Sequence, residues 1–207
     1  MQPELFPPNI TVSPFKYKHK KDMLGRKGLI LHAISEYLHK DGLKWYRGYN
    51  EENNTYNNKP LDEYDEWIHC LEFMSLVNLY AHYSINIEGE LIVVKNNTNR
   101  APHAGKSEWK ELKYLNNWYL GVEIMVEGRN TYGEFIDKIN NTNWCNNKQY
   151  HCVNFLIEQL KQDDQGCNEI IGHKDCAGDH VRGKGKGKQD PGLGFRYELI
   201  NGYSGNV

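Results

Sequence analysis

The apolar residues of the chain form short runs, and three of these runs predict strands. Lys27 to Ile34 and Glu169 to Gly172 are almost uninterrupted, which is typical of strands buried on both faces of a parallel sheet. Leu120 to Val126 alternates instead, so that one face of the strand is apolar. The opposite face would carry Gly121, Glu123 and Met125. An acid inside a strand this apolar requires a partner or a function.

A hairpin is predicted in the part of the chain between the strands Lys27 to Ile34 and Leu120 to Val126. Tyr83 to Ile87 and Glu90 to Val94 each have the alternation of a strand with one buried face. Glu88-Gly89 lies between them, and this dipeptide predicts a two-residue turn.

Two further segments have apolar residues at three- and four-residue steps, as an amphipathic helix does. The first runs from Leu61 to Tyr80, with Asp62 as its N-cap, and the second from Lys148 to Gln162. The predicted inward residues are Tyr64, Trp67, Ile68, Leu71 and Met74, and then Cys152, Val153, Leu156, Ile157 and Leu160. The Asn-rich stretch before Lys148 predicts a loop.

The uneven succession of strands and helices predicts an α/β fold with a mixed central β-sheet flanked by helices. Met1 to Gly25 holds four prolines and predicts an extended arm, because repeated prolines exclude helix and ladder pairing. Residues 26–207 would then form a single domain, a size that one core can support. Lys40 to Pro60 is polar and predicts a long surface loop.

Composition and charge narrow the classes of function. A formal net charge of −2 over 207 residues argues against a general nucleic-acid binder. No run approaches the roughly 18 apolar residues of a membrane span, and Met1 to Ile10 lacks the pattern of a signal peptide. Five cysteines are an odd number, so reduced thiols are expected. These features predict synthesis in the cytoplasm without membrane insertion. A monomer is expected.

The candidate chemistry lies where apolar runs meet histidines. Gly28 to His32 and Ile170 to His173 both end in an imidazole, and parallel strands would bring the two rings to one edge of the sheet. The loop after His173 returns with a lysine, a carboxylate and Pro191-Gly192. Imidazole and carboxylate are ordinary zinc ligands, and three protein ligands plus a water form a catalytic site.

Six motifs in order extend this pattern to a family. They are LILHAIS, AHYSINIEGELI, APHAG, LGVEI, IIGHKD and KQDPG, spread from about Gly28 to Phe195. Together they resemble the zinc-dependent N-acetylmuramoyl-L-alanine amidases of type 2, which include phage lysozyme-like amidases and peptidoglycan recognition proteins. The resemblance implies a zinc ion in a surface groove, a peptidoglycan or muropeptide substrate, and cleavage between N-acetylmuramic acid and L-alanine.

The resemblance also implies roles for individual residues. His32, His173 and Asp190 match the three zinc ligands. Glu123 matches the acid that handles the attacking water, and Lys188 matches the lysine two positions before the third ligand. Zinc would polarise the amide and lower the pKa of its water to about 7, while Glu123 would move the proton and Lys188 would stabilise the oxyanion.

Expectations also follow for the other motif residues and for two long segments. His103 and Ala104 of APHAG are expected on the wall of the groove, in contact with substrate. His82 is expected to be structural. Two segments appear longer than is usual in the family, near residues 40–60 and 178–187, and both affect the shape of the groove.

Cys176 is the rival of Asp190 for the third ligand. It lies three residues after His173, and some phage members of the family use cysteine there. Asp190 is preferred because Lys-x-Asp-Pro-Gly is the context of the ligand.

The function expected from the resemblance is that of a phage-type endolysin, which would act on the cell wall. A cytosolic muropeptide-recycling amidase is the alternative within the enzyme class. A non-catalytic peptidoglycan-binding module is a further alternative, disfavoured because three ligands and Glu123 are all present.

Overall fold

The structure is a computed structural model, and it describes residues 7–18, 21–37, 49–50, 52, 55–56, 59–60, 66–162 and 167–206. Its centre is a six-stranded sheet. The strands are β1 (Ile10–Val12), β2 (Gly28–Tyr37), β6 (Tyr83–Ile85), β7 (Leu91–Val93), β10 (Tyr119–Asn130) and β11 (Glu169–Gly172). They lie in the order β1-β7-β6-β10-β2-β11. Only the β6–β7 pair is antiparallel within this sheet, so the predicted mixed sheet is confirmed.

Strand β2 has partners on both sides. It pairs in parallel with β10 and with β11, and Leu29, Ile30 and Leu31 are fully buried. A strand covered on both faces needs apolar residues at successive positions, which is why its sequence does not alternate. The strand is longer than predicted, because it continues beyond Ile34 to Tyr37.

Helices cover both faces of the sheet. The helix α3 (Asn147–Gln162) packs on one face through all five of its predicted inward residues. The helix α1 (Glu66–Val77) packs on the other face, where Leu71 and Met74 are buried against Ile34 and Met125. The predicted N-cap Asp62 and the predicted inward residue Tyr64 lie outside the described residues.

The end of α1 comes three residues earlier than predicted. Asn78 has a φ of 53°, in the left-handed region, and its N–H donates to Ser75 O. Leu79 N–H donates to Met74 O. This pair of hydrogen bonds is the Schellman motif, in which Asn is tolerated as the left-handed residue, and it ends the helix at Val77.

The hairpin between β6 and β7 is confirmed, but its turn is longer than the predicted two residues. Asn86 N–H donates to Glu90 O, and Gly89 N–H donates to Asn86 O. Gly89 has a φ of 78°, which a glycine adopts without steric cost. The loop therefore comprises Ile87, Glu88 and Gly89, a common three-residue hairpin loop with glycine in the left-handed position.

Two segments predicted to lack strands contain them. Ile10–Val12 of the predicted arm pairs in parallel with Leu91–Val93 as the edge strand β1, so the exclusion of ladder pairing was wrong there. The three residues lie between Pro8 and Pro14, where no proline interrupts the N–H groups. In the predicted loop of residues 40–60, β3 (Tyr49–Asn50), β4 (Thr55–Tyr56) and β5 (Lys59–Pro60) form a small antiparallel sheet.

The Asn-rich stretch predicted as a loop contains the helix α2 (Tyr132–Asn141). Thr131 and Glu134 form a capping box: the Glu134 carboxylate accepts from Thr131 N–H at 2.7 Å, and the Thr131 hydroxyl accepts from Glu134 N–H at 3.3 Å. Phe135 and Ile139 are buried. The spacing of Thr131, Glu134 and these apolar residues is the signal that would have predicted the helix.

Short elements complete the chain around the candidate site. A second small hairpin is formed by β8 (Glu108–Trp109) and β9 (Leu112–Lys113). After β11 the chain enters α4 (His173–Ala177) and α5 (Asp179–Arg182) directly. The loop predicted to follow His173 directly therefore begins only after Arg182.

We expect Thr131→Ala to destabilise the protein by about 1 kcal/mol, because the lost hydroxyl accepts from Glu134 N–H and donates to the Glu134 carboxylate. Such a loss lowers the melting temperature by roughly 2–4 °C in a domain of this size. Thr131→Ser keeps the hydroxyl acceptor and should melt close to the wild type. Thermal melts of both variants test this, and equal melting of Thr131→Ala and wild type would contradict it.

Candidate metal centre and groove

The register of two strands and the path of one loop bring the predicted ligands together. His32 lies in β2, five residues before its end, because the strand continues beyond the predicted Ile34 to Tyr37. Gly172, the last residue of β11, pairs with Leu31 of β2, so the next residue, His173, begins α4 beside His32. Lys174 N–H donates to Asp190 O at 2.9 Å, which brings the returning loop back to the same place.

Three ligand atoms converge at this point. His32 Nδ1 lies 3.0 Å from His173 Nδ1, and Asp190 Oδ2 lies 3.4 Å and 3.0 Å from these two nitrogens. In a tetrahedral zinc site with bonds of about 2.0–2.1 Å, two ligand atoms lie about 3.3 Å apart. Among the described residues, these three form the group of His, Cys, Asp and Glu side chains that could hold a metal ion. Their spacing therefore fits zinc.

Burial and neighbouring groups shift the pKa values of His32 and Asp190. Burial, with a smaller contribution from His173, lowers the pKa of His32 to about 4, so this imidazole is neutral. Burial alone would raise the pKa of Asp190, but His173 and His32 bring it well below its usual value. Neutral imidazole and ionised carboxylate are the forms that bind a metal ion.

Glu123 is the direct neighbour of His32. It pairs with His32 across the parallel β10–β2 ladder, so both side chains lie on the same face of the sheet. Burial raises the pKa of Glu123 well above its usual value, and the charge of Asp190 raises it further, while Lys188 opposes both. A carboxyl group with a raised pKa holds a proton more readily than an ordinary carboxyl group, which suits it to proton transfer.

A groove of about 370 Å³ opens in front of these residues. Its floor contains the three candidate ligands and Glu123, and Lys188 and Arg182 lie along it. Apolar residues form much of its walls: Phe73, Met74, Val77, Leu79 and Tyr80 in and after α1, and Tyr132, Phe135 and Ile136 in α2. The α2 wall was missed at the sequence level together with the helix.

Cys176 does not take part in this arrangement. It is fully buried in an apolar cluster that includes Ile30 and Leu115, and its thiol donates to His173 O at 3.5 Å. Burial raises the pKa of the thiol, with smaller contributions from Asp190 and Asp175. A thiol that stays protonated is a poor zinc ligand.

His82 has hydrogen-bond partners on both ring nitrogens, as expected of a structural residue. Its Nε2 donates to Asn99 O at 2.8 Å, and its Nδ1 accepts from Gly121 N–H at 3.1 Å. Burial lowers its pKa to about 4, so the ring is neutral. It thus ties β10 to the loop that follows β7.

His103 and Ala104 contact the candidate ligands directly. His103 lines the groove, and its Nδ1 lies 2.9 Å from His32 Nε2. Ala104 is fully buried, and its carbonyl oxygen lies 3.3 Å from His173 Nε2 and 2.8 Å from Arg182 Nη2. Ala104 therefore faces the interior of the protein, although a contact with substrate was predicted for it. Nothing in the sequence indicated that Arg182 would reach this loop.

Comparison with known families agrees with this geometry. The sequence model of the family described as N-acetylmuramoyl-L-alanine amidase matches residues 26–193, which is most of the chain. The chain belongs to this family. It is therefore an amidase, and the alternative of a non-catalytic binding module is set aside. No curated protein sequence matches it.

Solved structures share the fold of the amidase. A selenomethionine derivative of AmpD is 18% identical, with a TM-score of 0.54, and the match covers 95% of this chain and 96% of that one. The endolysin amidase LysCS from Clostridium intestinale URNW is 14% identical, with a TM-score of 0.50 and 93% coverage of both chains.

Within the described residues, no helix combines the length and hydropathy needed to cross a membrane.

The third ligand can be tested by a pair of variants. Asp190→Ala removes a ligand oxygen and a negative charge, so we expect it to lose most bound zinc, whereas Cys176→Ser should keep about one zinc per chain. Zinc content after gel filtration, measured by elemental analysis, decides between them. A zinc-free Cys176→Ser beside a zinc-loaded Asp190→Ala would reverse the assignment.

Proposed function

We propose that the amidase hydrolyses the amide bond between N-acetylmuramic acid and L-alanine at a zinc ion held by His32, His173 and Asp190. The observation that carries the proposal is the convergence of these three ligand atoms within 3.0–3.4 Å of one another, beside Glu123. Bound zinc would supply a Lewis acid for the carbonyl and an acidified water. The chain's own residues account for the rest of the reaction.

Glu123 is proposed to move the proton. The carboxylate takes a proton from the attacking water and returns it to the nitrogen of the leaving amine. The raised pKa of Glu123 favours the return of the proton to the amine, because the protonated carboxyl group must form at neutral pH for this step. The parallel pairing with His32 keeps this carboxyl beside the metal ligands throughout the reaction.

Lys188 is proposed to stabilise the developing oxyanion. Its side chain lies in the same groove as Glu123 and Asp190, and its charge acts on both His32 and Glu123. Its backbone is held by the hydrogen bond from Lys188 N–H to Ala177 O at 2.9 Å. A fixed positive charge near the carbonyl oxygen typically contributes on the order of a hundred- to a thousandfold in rate.

Glu123→Gln tests the role of the proton carrier. The amide cannot accept the proton of water, so turnover of a purified muropeptide should fall by about two orders of magnitude or more while zinc content stays the same. Glu127→Gln is the matched control, since Glu127 is exposed on the same strand and does not line the groove. Its activity should equal that of wild type. An unchanged rate in Glu123→Gln would make Glu123 structural.

Within this activity we propose the role of a phage-type endolysin. The support is the segment from residue 178 to 187, which lies beside the groove and exposes Lys184 and Lys186. Asp179 orders the segment by accepting from Gly185 N–H and Gly187 N–H. Exposed lysines beside a groove favour an anionic, polymeric substrate over a small soluble one.

The two roles differ in the preferred substrate. An endolysin should release stem peptides from intact peptidoglycan sacculi, with a rate that falls as salt screens the lysines. A recycling amidase should instead cleave soluble muropeptides and leave sacculi almost untouched. Parallel assays with equal amide concentrations measure the preference, and a preference of tenfold or more for soluble muropeptides would favour the recycling role.

A further inference from the structure

We propose that His103 is a positioning residue for the metal site: it holds His32 by a hydrogen bond to Nε2, while the carbonyl of Ala104 holds His173 in the same way. The proposal rests on the metal site given under Proposed function. Two neighbouring residues of one loop would thus fix the orientation of both histidine ligands.

The hydrogen bonds of His103 determine where its proton lies. His103 Nε2 lies 3.1 Å from Tyr119 O, and a carbonyl oxygen can only accept, so Nε2 carries the proton. In a neutral ring Nδ1 is then an acceptor, and it faces His32 Nε2 at 2.9 Å. His32 must therefore be protonated at Nε2. Its Nδ1 is left as a lone pair directed at His173 and Asp190.

A related argument applies to His173. Its Nε2 lies 3.3 Å from Ala104 O, and its Nδ1 lies 3.0 Å from the Asp190 carboxylate, and both of these oxygens can only accept. A metal ion held by Nδ1 and Asp190 would occupy the lone pair of Nδ1, so the proton of a neutral His173 would then lie on Nε2 and be donated to Ala104 O. Three acceptors then converge, two imidazole nitrogens and the Asp190 carboxylate. Metal-binding histidines generally donate their other N–H to a carbonyl, carboxylate or water, which fixes the tautomer and the ring orientation.

The loop that carries both residues is itself held in place. The side-chain oxygen of Asn116 accepts from His103 N–H at 3.0 Å and from Ala104 N–H at 2.7 Å. Gly121 of β10 provides the space for the ring, because a Cβ there would lie 2.5 Å from His103 Nδ1. Arg182 donates to Ala104 O from the other side at 2.8 Å. Each contact restricts the position of the two groups that face the ligands.

His82 provides a matched control. Like His103 it has both ring nitrogens hydrogen-bonded, and the two ring centroids lie 5.7 Å apart. Its partners, however, are Asn99 O and Gly121 N–H, and neither is a candidate ligand. A variant of His82 therefore reports the general effect of losing a buried imidazole near the site.

The experiment measures zinc affinity by competition with a chromophoric chelator. We expect His103→Ala to weaken zinc binding by about 10- to 100-fold, the usual cost of losing a hydrogen bond to a ligand. His103→Gln should recover most of this affinity, because an amide can donate to Tyr119 O and accept from His32. His82→Gln should stay within about twofold of wild type. Gly121→Ala should weaken binding, since it displaces the intact ring.

A second readout is independent of zinc affinity. Nitrogen-15 spectra of labelled histidine distinguish the two neutral tautomers, and His32 should be protonated only at Nε2 in the wild type and in His103→Gln. In His103→Ala the metal-free protein should show a mixture of tautomers for His32. A merely structural role for His103 would lower the melting temperature without changing this ratio.

The possible failures are distinguishable. If wild type binds no zinc, the metal site under Proposed function is wrong, and this inference fails with it. If wild type binds zinc and His103→Ala binds it equally, with unchanged His32 tautomer, only the positioning role is overturned. In that case an increase in KM for the muropeptide in His103→Ala would identify His103 as a substrate contact.

Discussion

The parallel pairing of β2 with its two neighbours is the constraint on which the site depends. Glu123 and His32 occupy paired positions in the β10–β2 ladder, and the β11–β2 ladder brings His173 alongside. Because side chains alternate along a strand, a slip of one residue in either ladder would turn a functional group to the opposite face. The apolar residues on either side of His32 and Glu123 therefore fix the chemistry as well as the fold.

Many polar groups of the site are buried beside an apolar core. Such groups need hydrogen-bond partners. Unpaired buried polar groups cost about 1–3 kcal/mol each, so the site is stable only as a connected network. The imidazoles of His103 and His82 have partners on both ring nitrogens, and His32 has one at Nε2, which leaves its Nδ1 for the proposed metal ion. The same network keeps the rings neutral, since burial lowers the pKa of each of these three histidines. Burial thus contributes both to the stability of the domain and to the neutral form of these imidazoles.

The segments after β11 hold the second half of the site. Asp175 accepts from Gly172 N–H at 2.7 Å and from the Tyr203 hydroxyl at 2.5 Å, which fixes the first turn of α4. The backbone of Tyr203 also forms a parallel β-bridge with Ile170, so the C-terminal segment covers the edge of β11. His173 is therefore positioned by residues both before and after the inserted segment. This explains how a long insertion can separate His173 and Asp190 without displacing them.

The sequence alone determined the elements whose signal is local. The apolar runs of β2 and β11, the alternation of β10 and the spacing of α3 follow from the burial of their side chains, and all four are present. The identities of the candidate ligands were also available from the ordered motifs. The helix α2 could have been predicted from its capping box, but the short strand β1 could not, because its only signal is the partner strand β7.

Only the tertiary structure decided which polar groups meet. His103 contacts His32, which lies 71 positions away in the chain, and Ala104 O contacts His173, which lies 69 positions away. Arg182 reaches the same carbonyl from an inserted segment, and Cys176 turns away from the site into an apolar cluster. The sequence defines which side chains can bind a metal ion or transfer a proton, because these properties belong to the residue type. Which partner it finds depends on strand register and loop path, which are set by packing over the whole domain.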